Sequence, residues 1–306
     1  MPLASRTVSG SDAGHRWAAV TATPSVVALA GLAYGYGGFR EASLRPVERR
    51  ELPSTEIVLV VNLAEPLTVS RTPGHVSAPA AFVTGLGHSS LTTYHAGQHS
   101  AVEVRIPAAA ARPVLGVPGI ELAEQVLDLS DLWGAAAVEL VERLAGQTWE
   151  QRFAVLESVL LARTAKNPAP LPDPFLLQAH DLLLSRDGDL PMRVLLETTG
   201  WSRRRLATQF REHLGMTPKT LARLARFRHA ERLLRAPGHR SFASIALTCG
   251  YYDQAHLNRD FREFAGCTPT AHLEQLRGDT SGAGMATAAT PDLATQTSKT
   301  QRTTGS

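Results

Sequence analysis

A block of about twenty residues occurs twice in the C-terminal half of the chain, and that repeat limits the fold more than any other feature. The first copy is Gly200-Trp-Ser-Arg-Arg-Arg-Leu206-Ala-Thr-Gln-Phe210-Arg-Glu-His-Leu-Gly215-Met-Thr-Pro218. The second is Gly250-Tyr-Tyr-Asp-Gln-Ala-His-Leu257-Asn-Arg-Asp-Phe261-Arg-Glu-Phe-Ala-Gly266-Cys-Thr-Pro269. Leu, Phe, Arg-Glu, Gly and Thr-Pro recur at a constant offset of 51, and the preceding Gly at 50, so the second turn carries one extra residue. Each copy has the grammar of a helix-turn-helix. An apolar helix (Val194-Leu-Leu, then Ile245-Ala-Leu) meets a glycine that makes the turn, where a residue without Cβ accepts positive φ. Ser202 and Asp253 stand where an N-cap is needed, and Leu206 with Phe210, like Leu257 with Phe261, are i,i+4 pairs that pin the second helix to a core. Gly215 and Gly266 then end it. The structural core expected of these units is therefore Gly200, Leu206, Phe210, Gly215, Gly250, Leu257, Phe261 and Gly266.

At 100° per residue the face opposite Leu206 and Phe210 carries Arg204, Thr208 and Arg211, and the equivalent face of the second copy carries Ala255, Arg259 and Arg262. Gln254, His256 and Asn258 flank it, and Ser202, Arg203 and Arg205 lead into the first helix. A helix showing Arg, Gln and Asn outward suits the major groove, where Arg reads guanine and Gln or Asn reads adenine. One such face is also what any solvated bundle helix presents; two copies with a basic cluster favour DNA. The connector from Pro218 to about Arg235 bears Leu221, Leu224, Ala225, Ala230, Leu233 and Leu234 and predicts a rod of about 25 Å. It would hold the two helices near the ~34 Å of one DNA turn. Its own charges, Lys219, Arg223, Arg226, Arg228, Arg232 and Arg235, read mostly as surface. Charge agrees with the DNA reading. Residues 175–277 hold 16 Lys and Arg against 10 Asp and Glu, a net +6, while the rest holds 15 against 18, a net −3.

This arrangement resembles the AraC/XylS family of bacterial transcription regulators over about Leu176 to Arg277. The resemblance rests on the repeat, on Arg228-His-Ala-Glu-Arg-Leu-Leu234 after the first unit, and on Ile245-Ala, Gly250-Tyr, Leu257, Phe261-Arg and Gly266-Cys-Thr-Pro269. It implies two helix-turn-helix units joined by a long helix on double-stranded promoter DNA, with RNA polymerase as a further partner. By position it implies that Arg204 and Thr208 face one groove, and Gln254 and Arg259 the other. The chain departs from the family pattern at Ala271-His272, where Tyr-Arg is common, and at Glu197-Thr-Thr before Gly200.

The family also implies a second domain that senses a small-molecule effector, dimerises, or both. Residues 26–166 fit that place. Short apolar runs (Glu56–Asn62, Leu67–Ser70, Ala81–Thr84, Ala101–Ile106) separated by turn residues predict a small barrel or sandwich, and the family's second domain favours a cupin-like β-barrel. Ile57–Val61 reads as buried on both faces and Ala101–Ile106 as half-buried. From Gly119, apolar residues at Leu122, Val126, Leu129, Leu132, Ala136, Leu140 and Leu144, then at Phe153, Leu156, Val159 and Leu160, predict amphipathic helices. Leu140, Leu144, Leu156 and Leu160 either form a dimer seam or pack on the barrel. Tyr34, Tyr36, Tyr94 and Trp133 read as pocket lining or simple core. His75, His88, His95 and His99 show no ligand spacing, so no metal and no cofactor is expected.

The expected class is α+β: a small β-barrel with trailing helices, then an all-α domain of two helix-turn-helix units. Residues 1–25 are small and polar and read as disordered, Lys166–Pro174 with four prolines as a linker over 167–174, 175–278 as the DNA-binding domain, and 279–306 as a disordered tail. No apolar run reaches the ~18 residues of a membrane span, and Val26–Gly38 is broken by glycines. Cys249 and Cys267 allow neither a disulfide scaffold nor a multi-cysteine zinc site and read as buried small hydrophobes of a reducing cytoplasm. Arg and Ala beside scarce Lys fit a GC-rich bacterial genome. Two other readings remain: an enzymatic or metal-binding barrel tethered to DNA, for which no nucleophile elbow, phosphate loop or paired-carboxylate motif is present, and a non-specific architectural DNA protein.

Overall fold

The computed structural model describes residues 5–12, 14–65, 67–71, 77–169, 171–238 and 240–278. His75 and the 279–306 tail lie outside them. The described residues form ten strands: β1 (Ser5–Asp12), β2 (His15–Ala22), β3 (Gly35–Ser43), β4 (Val47–Glu51), β5 (Ile57–Asn62), β6 (Thr68–Ser70), β7 (Ala81–Thr84), β8 (Leu91–His95), β9 (Gln98–Ile106) and β10 (Val126–Asp128). They form two antiparallel sheets. The larger runs β1-β2-β3-β9-β5-β7-β10 and the smaller β4-β8-β6. Among the described residues no strand pairing joins the edges β1 and β10 or links the two sheets, so the predicted barrel is an open, cupin-like sandwich.

Two-residue alternation gives the large sheet two different faces. Ile57, Leu59 and Val61 of β5, and Val102, Val104 and Ile106 of β9, point into the main apolar core under the helices. Val60 of β5 points the other way, against Leu67, Val69, Phe82 and Leu91 between the sheets. The segment Ile57–Val61, predicted to be buried on both faces, is therefore fully buried on one face only, with Val58 and Val60 half-buried. Glycines in β3 make room for the helical layer: a Cβ on Gly38 would lie 2.5 Å from the Trp149 ring.

The expectation of a disordered N-terminus fails over residues 5–12 and 14–22. These form a β-hairpin, β1 on β2 in unbroken register from Ser5↔Ala22 to Asp12↔His15, and β2 is extended by β3. Small side chains do not prevent strand formation when the ladder is supplied by a neighbouring strand. The single helical rhythm from Leu122 to Leu144 is also broken. It contains α2 (Gly119–Leu122), strand β10, α3 (Leu129–Trp133) and α4 (Ala135–Leu144). The Asp128 side chain caps α3 by accepting from the Ser130 amide, and Gly134 at φ 57° separates α3 from α4. Upstream lies α1 (Ala111–Leu115), and downstream α5 (Trp149–Lys166), opened by a Thr148/Gln151 capping box. Leu140, Leu144, Leu156 and Leu160 are all buried within the chain, so they pack on the sheet and form no dimer seam. Tyr36 stacks on Phe153 at 5.8 Å, Trp133 lies in the core, and Tyr94 is 40% exposed.

Seven helices complete the fold: α6 (Pro174–Ser185), α7 (Met192–Thr199), α8 (Arg203–Leu214), α9 (Pro218–Arg235), α10 (Phe242–Thr248), α11 (Gln254–Phe264) and α12 (Pro269–Gly278). Residues 167–169 and 171–173 lack regular structure, and Asp173 caps α6. The apolar core is continuous from the sandwich into these helices. No helix among the described residues is long and apolar enough to cross a membrane.

Candidate nucleic-acid interface

The two repeats fold as two helix-turn-helix units, α7–α8 and α10–α11, joined by the unbroken α9. In each, the local chemistry sets the turn. Gly200 and Gly250 adopt φ 66° and 72°, and Gly215 and Gly266 adopt φ 79° and 68°, the left-handed region that suits glycine. Ser202 Oγ accepts from the Arg205 amide at 3.3 Å, and an Asp253 carboxylate oxygen from the His256 amide at 2.7 Å. Leu206, Phe210, Leu257 and Phe261 are fully buried. Phe227 of α9 meets Phe261 edge-on at 4.9 Å and lies 5.1 Å from Phe264, so the second unit is seated on the connector.

The opposite faces reach solvent. Ser202, Arg203, Arg204, Arg205, Thr208 and Arg211 are exposed, as are Gln254, Ala255, Arg259 and Arg262, while His256 and Asn258 are half-buried. The Arg205 guanidinium lies over the Trp201 ring at 4.5 Å, and the Tyr251 ring meets His256 at 5.1 Å, so these two have a local packing role as well. Among the described residues, Arg203, Arg204, Arg211, Arg259 and Arg262 pair with no carboxylate. Tyr252, 88% exposed at the entry to α11, belongs to the same face and escaped the sequence reading, which looked only inside the helix.

The connector's arginines behave differently. Arg223 donates to Asp260 at 2.6 Å and to Glu263 at 2.5 Å, and Glu263 and Asp260 together hold its guanidinium above the ordinary arginine range. Arg226 lies over Tyr251 at 5.5 Å, Arg232 donates to Asp187 at 2.6 Å, and Arg235 pairs with Glu231. Arg223, Arg226 and Arg232 thus hold α9 to its neighbours, whereas the Arg235 pair lies within the helix. Burial would raise the Glu231 carboxyl, but the His272 hydrogen bond and the charges of Arg228 and Arg235 outweigh it and hold it at about 2. His272, the residue that departs from the family pattern, is thus a buried partner of Glu231 at 3.4 Å.

The N-terminal sandwich touches the far ends of both exposed helices. Gly119 of α2 abuts the end of α8 so closely that a Cβ there would lie 2.3 Å from the His213 carbonyl oxygen. Arg50 of β4 donates to the Ala265 carbonyl at the end of α11, at 3.0 Å. Behind Arg50 is a buried polar group that sequence spacing did not reveal. His15, Glu41, His99 and Asn62 share the inner face of the large sheet, opposite Arg49 and His95 of the small one. Glu41 bonds His15 at 2.5 Å, His95 at 3.0 Å, and Arg49. Burial alone would raise its carboxyl; the three donors reverse this and bring it down to about 2. Burial lowers the His99 imidazole to about 4. Of the described histidines read from the sequence, His95 and His99 come together and His88 pairs with Glu124 at the surface. Cys249 is buried and its thiol raised to about 11 by burial, and Cys267 is half-buried.

Residues 195–275 match the sequence profile of a family described as "helix-turn-helix domain". Among solved structures the chain is similar to ToxT from Vibrio cholerae, at 10% identity and TM-score 0.45, over 78% of this chain and 97% of that one. It is similar to the xylose-binding transcription activator XylR at 20% identity and TM-score 0.30, over 41% and 38%. It is also similar to the AraC-like transcriptional activator CuxR at 16% identity and TM-score 0.29, over 63% and 74%. No curated protein matches the sequence.

Proposed function

We propose that the chain, which matches a helix-turn-helix profile over residues 195–275, is a DNA-binding transcription regulator of the AraC type, and that α8 and α11 read two successive major-groove segments of promoter DNA. Arg204 and Thr208 contact one groove, and Gln254 and Arg259 the other. Arg203, Arg211, Arg262 and the exposed Tyr252 contact phosphates. The observation that carries this reading is the division of labour among the arginines. Those on the outward faces of α8 and α11 pair with no carboxylate among the described residues, whereas those of α9 are paired within the chain. Affinity then comes chiefly from phosphate neutralisation and specificity from the two faces. The sandwich is the effector domain, RNA polymerase is the partner through which the regulator acts, and the bacterial cytoplasm is where it works. Catalysis has no part in this reading.

Selection of bound duplexes from a random pool by the full-length chain tests it. The expected product is a bipartite motif whose halves are about one helical turn, ~10 base pairs, apart. A pool that retains no sequence preference would make this an architectural DNA protein instead.

A further inference from the structure

The DNA interface leaves one group of side chains without a role: the polar cluster sealed between the two sheets. Glu41, His95 and His99 are 2%, 2% and 8% exposed. One ligand atom from each lies within 4.8 Å of the others. We propose that Glu41, His95 and His99 bind a divalent first-row transition-metal ion, which serves as the effector of the regulator. As an effector the ion rests on the regulator reading above; as a site it stands on its own geometry.

Three features support it. First, the spacing suits coordination. Glu41 Oε2 and His95 Nε2 are 3.0 Å apart, about the separation of adjacent ligands around an ion ~2.1 Å from each. Second, the donor set selects the metal class. Two imidazoles with one carboxylate suit zinc, iron, nickel or copper, whereas calcium and magnesium require mostly oxygens. Third, the supporting contacts are already built. Glu41 Oε1 is occupied by His15 and Arg49, which leaves Oε2 as the oxygen turned toward His95. Asn62 Oδ1, 3.3 Å from His99 Nε2, anchors the other ring.

A purely structural network explains the cluster less well. The His95 side chain is 1% exposed and its Nδ1 has no partner among the described residues, a cost that an ion on the other ring nitrogen leaves unchanged. Its Nε2 lies 3.0 Å from the Glu41 carboxylate and 3.4 Å from an Arg49 nitrogen, so it faces an acceptor and a donor at once and cannot satisfy both. Coordination resolves this conflict: the Nε2 lone pair and the carboxylate oxygen both turn to the ion, and the Arg49 contact with His95 gives way.

The test uses the full-length chain, stripped by a chelator and titrated with Co(II) and then Zn(II), followed by Co(II) d–d absorption and calorimetry. One ion per chain is expected, with His99→Gln and His95→Gln each weakening binding about 10-fold or more at unchanged circular dichroism. Absence of saturable binding overturns the site. So does undiminished binding in both folded variants, which would place the ion elsewhere, for instance at the surface pair His88 and Glu124. Should either variant fail to fold, histidine-side-chain NMR of the unaltered protein decides. One equivalent of Zn(II) must shift the resonances of His95 and His99, and shifts confined to other imidazoles sink the proposal. These readouts involve no DNA, so their failure leaves the regulator reading standing, and an unselective DNA pool leaves the metal site standing.

Discussion

The two helix-turn-helix units share a sequence pattern but differ in what holds them. Both have the buried Leu/Phe pair and glycines at the same turns. The second unit is tied to the connector by buried Asp260 and by the rings of Phe261 and Phe264 against Phe227. The position matching Asp260 in the first unit is Gln209, which is half-buried and bridges nothing to α9. The first unit meets the N-terminal half backbone against backbone, where Gly215 abuts Gly119, whereas the second reaches it through the Arg50 side chain. The repeated residues make the hairpin and share in its docking through Phe261 and Gly215, and the unrepeated pair Asp260 and Gln209 sets the two docks apart.

The largest effect should show whether the shared part is equivalent. Phe210→Ala and Phe261→Ala should each cost about 3–5 kcal/mol in urea unfolding; a gap of more than ~2 kcal/mol between them would mean the two cores are not interchangeable. The next effect concerns the connector, where Glu231 of α9 holds His272 of α12. The Glu231 carboxyl stands at about 2 rather than its ordinary 4.5, so its stabilisation is complete above about pH 4.5 and is lost as the pH falls toward 2. Unfolding free energy measured against pH should carry a Glu231 contribution worth up to about 3 kcal/mol over that window, which Glu231→Gln should remove while the contribution of Glu41 remains. Asp260→Ala should cost about 1–3 kcal/mol, because Arg223 keeps Glu263, whereas Gln209→Ala should stay within about 0.5 kcal/mol. Equal losses would erase the contrast drawn here. Finally, Arg204→Ala and Arg259→Ala should each weaken specific DNA binding by about 1–3 kcal/mol and relax preference at one base pair in opposite halves of the motif. A uniform loss on specific and random duplexes would reassign that arginine to phosphate.

The C-terminal half was legible because its information is local: caps, turns and i,i+4 pairs lie within one repeat. The sandwich was only partly legible. Ile57–Asn62 reads directly as a strand from its β-branched run, but Ser5–Ala22 does not, since its small polar residues match those of a loose tail and its order depends on pairing with β3. Leu122–Leu144 gave a helical rhythm that Asp128 and Gly134 interrupt. Of the Glu41, His95 and His99 cluster the two histidines were singled out in the sequence, but neither the carboxylate nor the convergence was legible. Glu41 and His95 are 54 positions apart and lie on different sheets, brought together only by the alternation of faces across non-consecutive strands.

That alternation reaches further in β4. Neighbours on a strand point to opposite sides, so Arg49 is directed inward to Glu41 while Arg50 is directed outward to the last carbonyls of α11. A buried acid and the end of an exposed helix thus hang on adjacent residues of a single strand, the shortest tether that a polypeptide can offer.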